Sequence, residues 1–352
     1  MAFFRPALNP LARKQWQRFK SIKRGYYSAL ILLGLLILSC GTELLVNNRG
    51  LIVSYHGKLY FPTYGAFIPG TTFGLGYDYE TNYRDLAQQL SARDQRGWVL
   101  MPPVPYSAFE NDLRESAYPP YPPSLTTQHY LGTDTTGRDV VARLLYGFRI
   151  AIAFSLVLLA CNYLIGIAVG CAMGFWGGAF DLLLQRVIEV WSNVPFLYVI
   201  MIIASIVVPT FATLTLVMVL FGWMSMTWYM RTSTYKEKTR DYVLAARALG
   251  ASSPRIIARH ILPNTVSVIV TFIPFSIAGG ITALTALDYL GFGLPPPTPS
   301  WGDLLSQGTD NLDYPWIVTS VVSAMIVILL MVTYIGEAIR EAFDPKRFTY
   351  YE

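Results

Sequence analysis

The chain has 352 residues, 53% of them hydrophobic and only 14% charged. A soluble globular domain carries nearer a quarter charged residues, so these long uncharged runs exclude an ordinary soluble fold and mark a polytopic membrane protein. The net charge of +5 is no argument for nucleic acid, because the Lys and Arg residues cluster beside the apolar runs. Cys40, Cys161 and Cys171 lie inside apolar runs, and an odd number so placed argues against a disulfide framework and against a metal site.

Residues 1–25 hold Arg5, Arg13, Lys14, Arg18, Lys20, Lys23 and Arg24 without an acid. The apolar run 26–46 comes next, roughly the 20 residues a bilayer crossing needs. Its basic flank is long and no small-x-small cleavage site succeeds it, so it reads as a retained first span with a cytoplasmic N-terminus. Residues 47–130 form the one large extramembrane segment, rich in Tyr, Pro and Gly and mixed in charge. The same orientation places it outside. Alternation on both sides of His56-Gly57 predicts a hairpin over 51–61. A short polar helix is expected over 82–95, and the Pro-Pro-Tyr-Pro-Pro run at 119–123 reads as a stiff linker. His56 and His129 stand alone and receive no ligand role.

Gly132 and Gly137 have the spacing of a phosphate loop, but Arg138 and Asp139 stand where Lys and Ser/Thr should be, and no buried strand precedes them. Further spans are predicted over 149–174, 194–208, 214–230, 265–287 and 316–334. Gly166, Gly170 and Gly174 recur every four residues, which lets helices approach closely, here within the bundle. The turn 175–181 leads to an amphipathic stretch, 182–191, with Arg186 and Glu189 on a solvated face. Trp223, Trp228 and Tyr229 suit a membrane interface. Pro274 and Gly279-Gly280 predict a kinked or broken fifth span. Asp303, Asp310 and Asp313 make the loop 291–315 negative. A proton-coupled secondary transporter would need ionisable groups in mid-span, and these spans have none at their centres. His56, His129 and His260 all lie outside the spans, which counts against an intramembrane hydrolase.

The segment 241–264 is the informative one. Tyr242, Ala245, Ala246 and Leu249 recur at helical spacing, and Gly250 comes where a helix exits in the left-handed conformation. Ser253 is placed to cap a second helix, Pro254 stands at its first position, and Ile256, Ile257 and Ile261 share a face. Pro263 is expected to stop it. Lys236, Lys238, Arg240, Arg247, Arg255 and Arg259 surround these stripes against Glu237 and Asp241. The plain reading is a basic cytoplasmic loop; the sharper one is a helix pair resting on a cytoplasmic partner.

Ala245-Ala246, Gly250 and Ile261-Leu262-Pro263 resemble the EAA loop of ABC importer permeases, with Leu244 where that motif begins with an acid. The run 131–147 resembles the LGTDxxGRDVxxRLLYG signature of dipeptide and oligopeptide permeases, which implies an interfacial helix from Arg138 to Tyr146. The stretch 175–181 resembles GYFGGxxD, 288–303 resembles LSFLGLGxxPPxPSWG, and 336–345 is similar to the ending GDxLRDxxDP. Asp288 replaces a small polar residue there and is a weak candidate for a substrate amine. Together the motifs make the chain similar to the inner-membrane permeases of the dipeptide/oligopeptide/nickel class, nearest to the Yej-type through its long insertion.

That resemblance implies an all-α membrane protein of six transmembrane helices, the ABC importer type I permease, with a periplasmic insertion between helices 1 and 2. The division is 1–25 cytoplasmic, 26–46 first span, 47–130 insertion, 131–337 permease core containing the cytoplasmic loop 231–263, and 338–352 cytoplasmic tail. It implies a bacterial inner membrane, cytoplasmic termini, and import of oligopeptides or peptide conjugates, with nickel chelates as the alternative cargo. The partners implied are a second homologous permease, two ATP-binding cassette subunits, a periplasmic peptide-binding protein and membrane lipid. No nucleic acid is implied. The chain would catalyse nothing and hold no cofactor, ATP and Mg being bound by the ATPase subunits. Coupling would fall to Tyr242, Ala245, Ala246, Leu249, Gly250, Ile257, Leu262 and Pro263.

Overall fold

The computed structural model describes residues 10–92, 97–114 and 117–343, with side chains from Arg13 onward. The expected tail, 338–352, therefore lies outside the described residues beyond Phe343, as does the end of the helix expected over 82–95. In chain order the elements are α1 (Pro10–Ser21), α2 (Lys23–Cys40), α3 (Thr42–Leu45), β1 (Ile52–Tyr55), β2 (Lys58–Tyr60), α4 (Tyr83–Ala92) and β3 (Gly97–Leu100). Then come α5 (Val140–Trp176), α6 (Gly178–Ser192), α7 (Phe196–Ile206), α8 (Phe211–Glu237), α9 (Asp241–Ala248) and α10 (Ser253–Ile256). A π turn (Ile257–Ile261) leads into α11 (Leu262–Tyr289), then α12 (Trp301–Asp310) and α13 (Pro315–Phe343).

Among the described residues, five helical stretches are long and apolar enough to cross a bilayer: α2, α5, α8, α10 to α11 taken together, and α13. A sixth span is made only by counting α6 and α7, which meet at a 64° bend, as one broken element. This corrects the third span expected over 194–208. Helix α7 has 11 residues, about 16 Å at 1.5 Å per residue, well short of the hydrocarbon core. Helix α8 starts sharply because Thr210 and Thr213 form a reciprocal capping box.

Three further expectations change. The interfacial helix and the second span are one 37-residue helix, α5. Asp139 caps it, its Oδ1 accepting the Ala142 amide at 2.8 Å, and no proline interrupts the helix between Val140 and Trp176. Helix α11 likewise runs unbroken through Pro274. The first span ends at Cys40, short of 46.

The chain forms two compact units, one of residues 1–33, 152–284 and 327–352, the other of residues 34–151 and 285–326. In the first, the glycine stripe of α5 lies on α8. A Cβ on Gly166, Gly170 or Gly174 would stand 2.7, 2.5 and 2.6 Å from the carbonyl oxygens of Trp223, Thr227 and Arg231. The stripe is bundle packing, as its spacing predicts. Arg186 and Glu189 pair at 2.5 Å on an exposed face, where such a pair adds little.

The second unit contains the expected hairpin, with His56 and Gly57 both at positive φ (47° and 77°) in the two-residue turn between β1 and β2. A third strand, β3, pairs with β1 on the other side, giving the antiparallel order β2-β1-β3. The sheet leans on the insertion itself: Val53 packs with Phe73, Tyr83, Leu86 and Leu90. The run 119–123 is no free linker, since Tyr121 is buried and exchanges hydrogen bonds with Thr133.

Nor does His129 stand alone. Fully buried, it sits 2.7 Å from Asp139 and 3.2 Å from Asp112 and stacks on Tyr106. Burial by itself would raise the Asp112 carboxyl, but the His129 and Arg114 bonds together hold it below its ordinary 3.8. A carboxylate lowered in the folded state stabilises above its unfolded value and loses that contribution as the pH falls through the folded one. Acid unfolding of this unit, tracked by tryptophan fluorescence, is expected below pH 3.8, with a shallower acid limb in Asp112→Asn.

Candidate functional site

Helix α9 is nearly all apolar or small, so periodicity cannot say which side faces in. The structure settles it. Val243 and Ala246 are buried against Phe175, Ile256 and Ile261, with Ile257 partly buried beside them. Tyr242, Leu244, Ala245 and Leu249 face outward, Leu249 88% exposed. Of the predicted stripe, Ala246 therefore belongs to the chain's own core, and Tyr242, Ala245, Leu249 and Gly250 are presented.

The loop is closed by its backbone. Gly250 takes φ +80°; its amide bonds the Arg247 carbonyl and the Ala251 amide bonds the Ala246 carbonyl, both at 3.0 Å. That pair of bonds is a Schellman closure, which needs the left-handed residue. The next cap is Ser252, not Ser253. Its side chain makes no cap bond, and Pro254 stands second in the helix.

Pro263 does not stop the segment. The Leu262 amide reaches back to Ile257 across the π turn. Proline lacks an amide and its ring crowds the carbonyl four residues back. The wider turn opens room for it, and α11 continues. Leu262 is half-buried and Pro263 exposed.

Beneath the loop lies a clamp. Arg231 of α8 grips Asp181 of α6 with Nε and Nη2 at 2.6 and 2.7 Å, and the Tyr235 hydroxyl donates to the same carboxylate at 2.7 Å. A bidentate guanidinium–carboxylate pair fixes orientation as well as charge. The Arg247 guanidinium lies 5.2 Å from the Phe175 ring. The Tyr242 hydroxyl donates to Glu237; burial and that bond push it up to about 12, so it stays a neutral donor.

Asp288 is not brought to this loop. Its oxygens accept the Leu294 amide at 2.7 Å and the Ser300 hydroxyl at 2.5 Å, holding the turn before α12. Asp303 of α12 is paired at 2.7 Å with the buried Arg143, so the acidic loop is in part neutralised from α5.

The family of binding-protein-dependent transport system inner membrane components matches residues 166–349, from mid-α5 past the loop just described. The chain belongs to this family. It is a mostly helical, multi-pass inner-membrane permease component, and the β2-β1-β3 sheet corrects the all-α expectation. The inner membrane ABC transporter permease protein YejE of Escherichia coli (strain K12) is 42% identical over 97% of this chain and 98% of its own length. The peptidoglycan transport system permease protein YejE of Agrobacterium fabrum is 38% identical over 97% and 95%. The dipeptide permease DppC of Bacillus subtilis is 30% identical over 69% and 75%. The first two relatives thus run through the insertion, which the family match leaves out.

Within this permease, sequence reasoning placed Phe175 and Asp181 in the turn 175–181 without giving them a role, and it did not single out Arg231 and Tyr235. Asp181 and Arg231 stand 50 positions apart, beyond any local period. The glycine stripe signals that a helix packs closely on α5, and the fold identifies that helix as α8.

Proposed function

We propose that this permease is one membrane-spanning half of an ATP-driven importer of peptides or peptide conjugates. A second homologous permease, two ATP-binding cassette subunits and a periplasmic peptide-binding protein complete it. The chain itself catalyses nothing and holds no cofactor; ATP and Mg belong to the ATPases. The basic residues Arg13, Lys14, Arg18 and Lys20 before the first span favour a cytoplasmic N-terminus, which puts α9 in the cytoplasm and residues 47–130 in the periplasm. The relatives named for dipeptide and peptidoglycan transport support the cargo class.

The observation that carries this reading is the division of labour on α9. Val243 and Ala246 hold the helix to its own chain, while Tyr242, Leu244, Ala245 and Leu249 remain outward. Leu249→Glu tests it. An exposed leucine far from other contacts changes chain stability within about 0.5 kcal/mol, whereas an interface anchor is worth about 2 kcal/mol or more. The variant is expected to insert normally yet lose more than about tenfold in ATPase co-purification and peptide uptake. Normal uptake with the ATPases retained would sink the docking role. Competition by a nickel chelate, and not by peptide, would move the cargo to the other branch of the class.

A further inference from the structure

Helix α1 is two-sided, and the chain itself uses only one of its sides. Phe19 is buried against Ala338 and Ala342 of α13, with Ile22 and Phe343 packed beside them. Arg18 lies 4.0 Å from Glu341, and Arg24 at the start of α2 lies 3.3 Å from Glu337. The two acids of α13 thus already have arginine neighbours. On the outward side Arg13, Trp16, Gln17 and Lys20 recur at i, i+3, i+4 and i+7, and all four are exposed. Trp16 is 50% exposed, and the Lys20 ammonium lies 5.2 Å from the centre of its ring.

Two spans fix the height of this helix. It ends one residue before α2, the first span, whose polar boundary is Lys23 and Arg24. It packs on the last two turns of α13, where Glu337, Arg340 and Glu341 mark the same boundary. A helix pinned to the polar ends of two spans lies at headgroup level. A half-exposed tryptophan suits that layer, where its ring is buried and its N–H stays wet. The charge has one sign: Arg13, Lys14, Lys20 and Lys23 are exposed, and no Asp or Glu precedes Glu43 in the sequence. Such a cluster beside a span complements an anionic surface, and phospholipid phosphate is the anion at that depth.

We propose that the exposed side of α1 is a binding surface for acidic phospholipid. Arg13 and Lys20 pair with phosphodiester oxygens, and Trp16 seats at the glycerol level between them. The surface is independent of what the permease carries. A cytoplasmic protein is the competing occupant, and the height of the helix speaks against it.

The full-length permease is reconstituted in vesicles of phosphatidylcholine and phosphatidylglycerol in equal parts, with bromine on the acyl chains of one lipid or of the other. Bromine quenches tryptophan on contact, and the difference between wild type and Trp16→Phe isolates the Trp16 signal. That signal is expected to be quenched about fivefold more by brominated phosphatidylglycerol, the worth of one cation at an acidic surface. Arg13→Gln with Lys20→Gln should bring the two lipids to parity; both residues are exposed, so folding is not at stake. Equal quenching by both lipids in wild type overturns the proposal. Quenching by neither lipid takes Trp16 off the bilayer and overturns it too; shielding by added ATPase subunits would then assign the face to protein. Should Trp16→Phe fail to insert, the phospholipid retained by the purified chain is extracted instead. Its phosphatidylglycerol share is expected to fall in the double variant, and an unchanged share overturns the surface.

Discussion

Gly170→Leu is expected to yield no folded permease. Its Cβ would stand 2.5 Å from the Thr227 carbonyl oxygen, 2.8 Å from Met230 Cβ and 3.0 Å from the Arg231 amide. Two of those three neighbours are helix backbone, which cannot step aside as a side-chain tip can. Overpacking a core costs about 1–3 kcal/mol where side chains can repack, and here they cannot. The glycines one turn either side meet α8 equally closely, so sliding the helices does not relieve the clash. Size-exclusion chromatography in detergent should show aggregate in place of a single peak. Gly34→Ala, with nothing within 4 Å of its Cβ, serves as the control and should behave as wild type.

Arg143→Met should cost about 3 kcal/mol, the lower end of the range for breaking a buried ion pair. The guanidinium is fully buried, 2.7 Å from Asp303 and 3.4 Å from the equally buried Asp134. Removing it leaves two carboxylates to Arg138, which bonds Asp134 at 2.7 Å and lies 3.5 Å from Asp303. That remaining cation keeps the loss from being larger. Adding Asp303→Asn to Arg143→Met should recover part of the thermal stability, since the orphaned charge goes with it. An Arg143→Met protein that melts like wild type would show that the pair is not needed for folding.

The legible features were local ones. The His56-Gly57 turn, the left-handed Gly250 and the glycine stripe each arise from residues within a few positions of one another. The spans were legible as apolar runs, but their ends were not. Asp139 sets the start of α5 with a side-chain cap, and the π turn carries α11 past a proline that ordinarily ends a helix. The inward side of α9 could not be read at all, because Val243 and Ala246 differ little in polarity from Ala245 and Leu249. What chooses between them is Phe175, Ile256 and Ile261, supplied by other segments. His129 looked isolated for the same reason: Asp112 and Asp139 reach it only through the fold.

The passage of the helix through Pro263 has a mechanical consequence. From Ser253 to Tyr289 the chain is one rod, not a loose loop tied to a span. A tether would absorb a push as slack; a rod delivers it as torque. From Ser253 to Gly279 is about 39 Å at 1.5 Å per residue, so a twist applied outside the bilayer arrives at Phe272, Ser276 and Gly279. The stroke of an ATPase on this segment would be felt in mid-membrane as a turning wall.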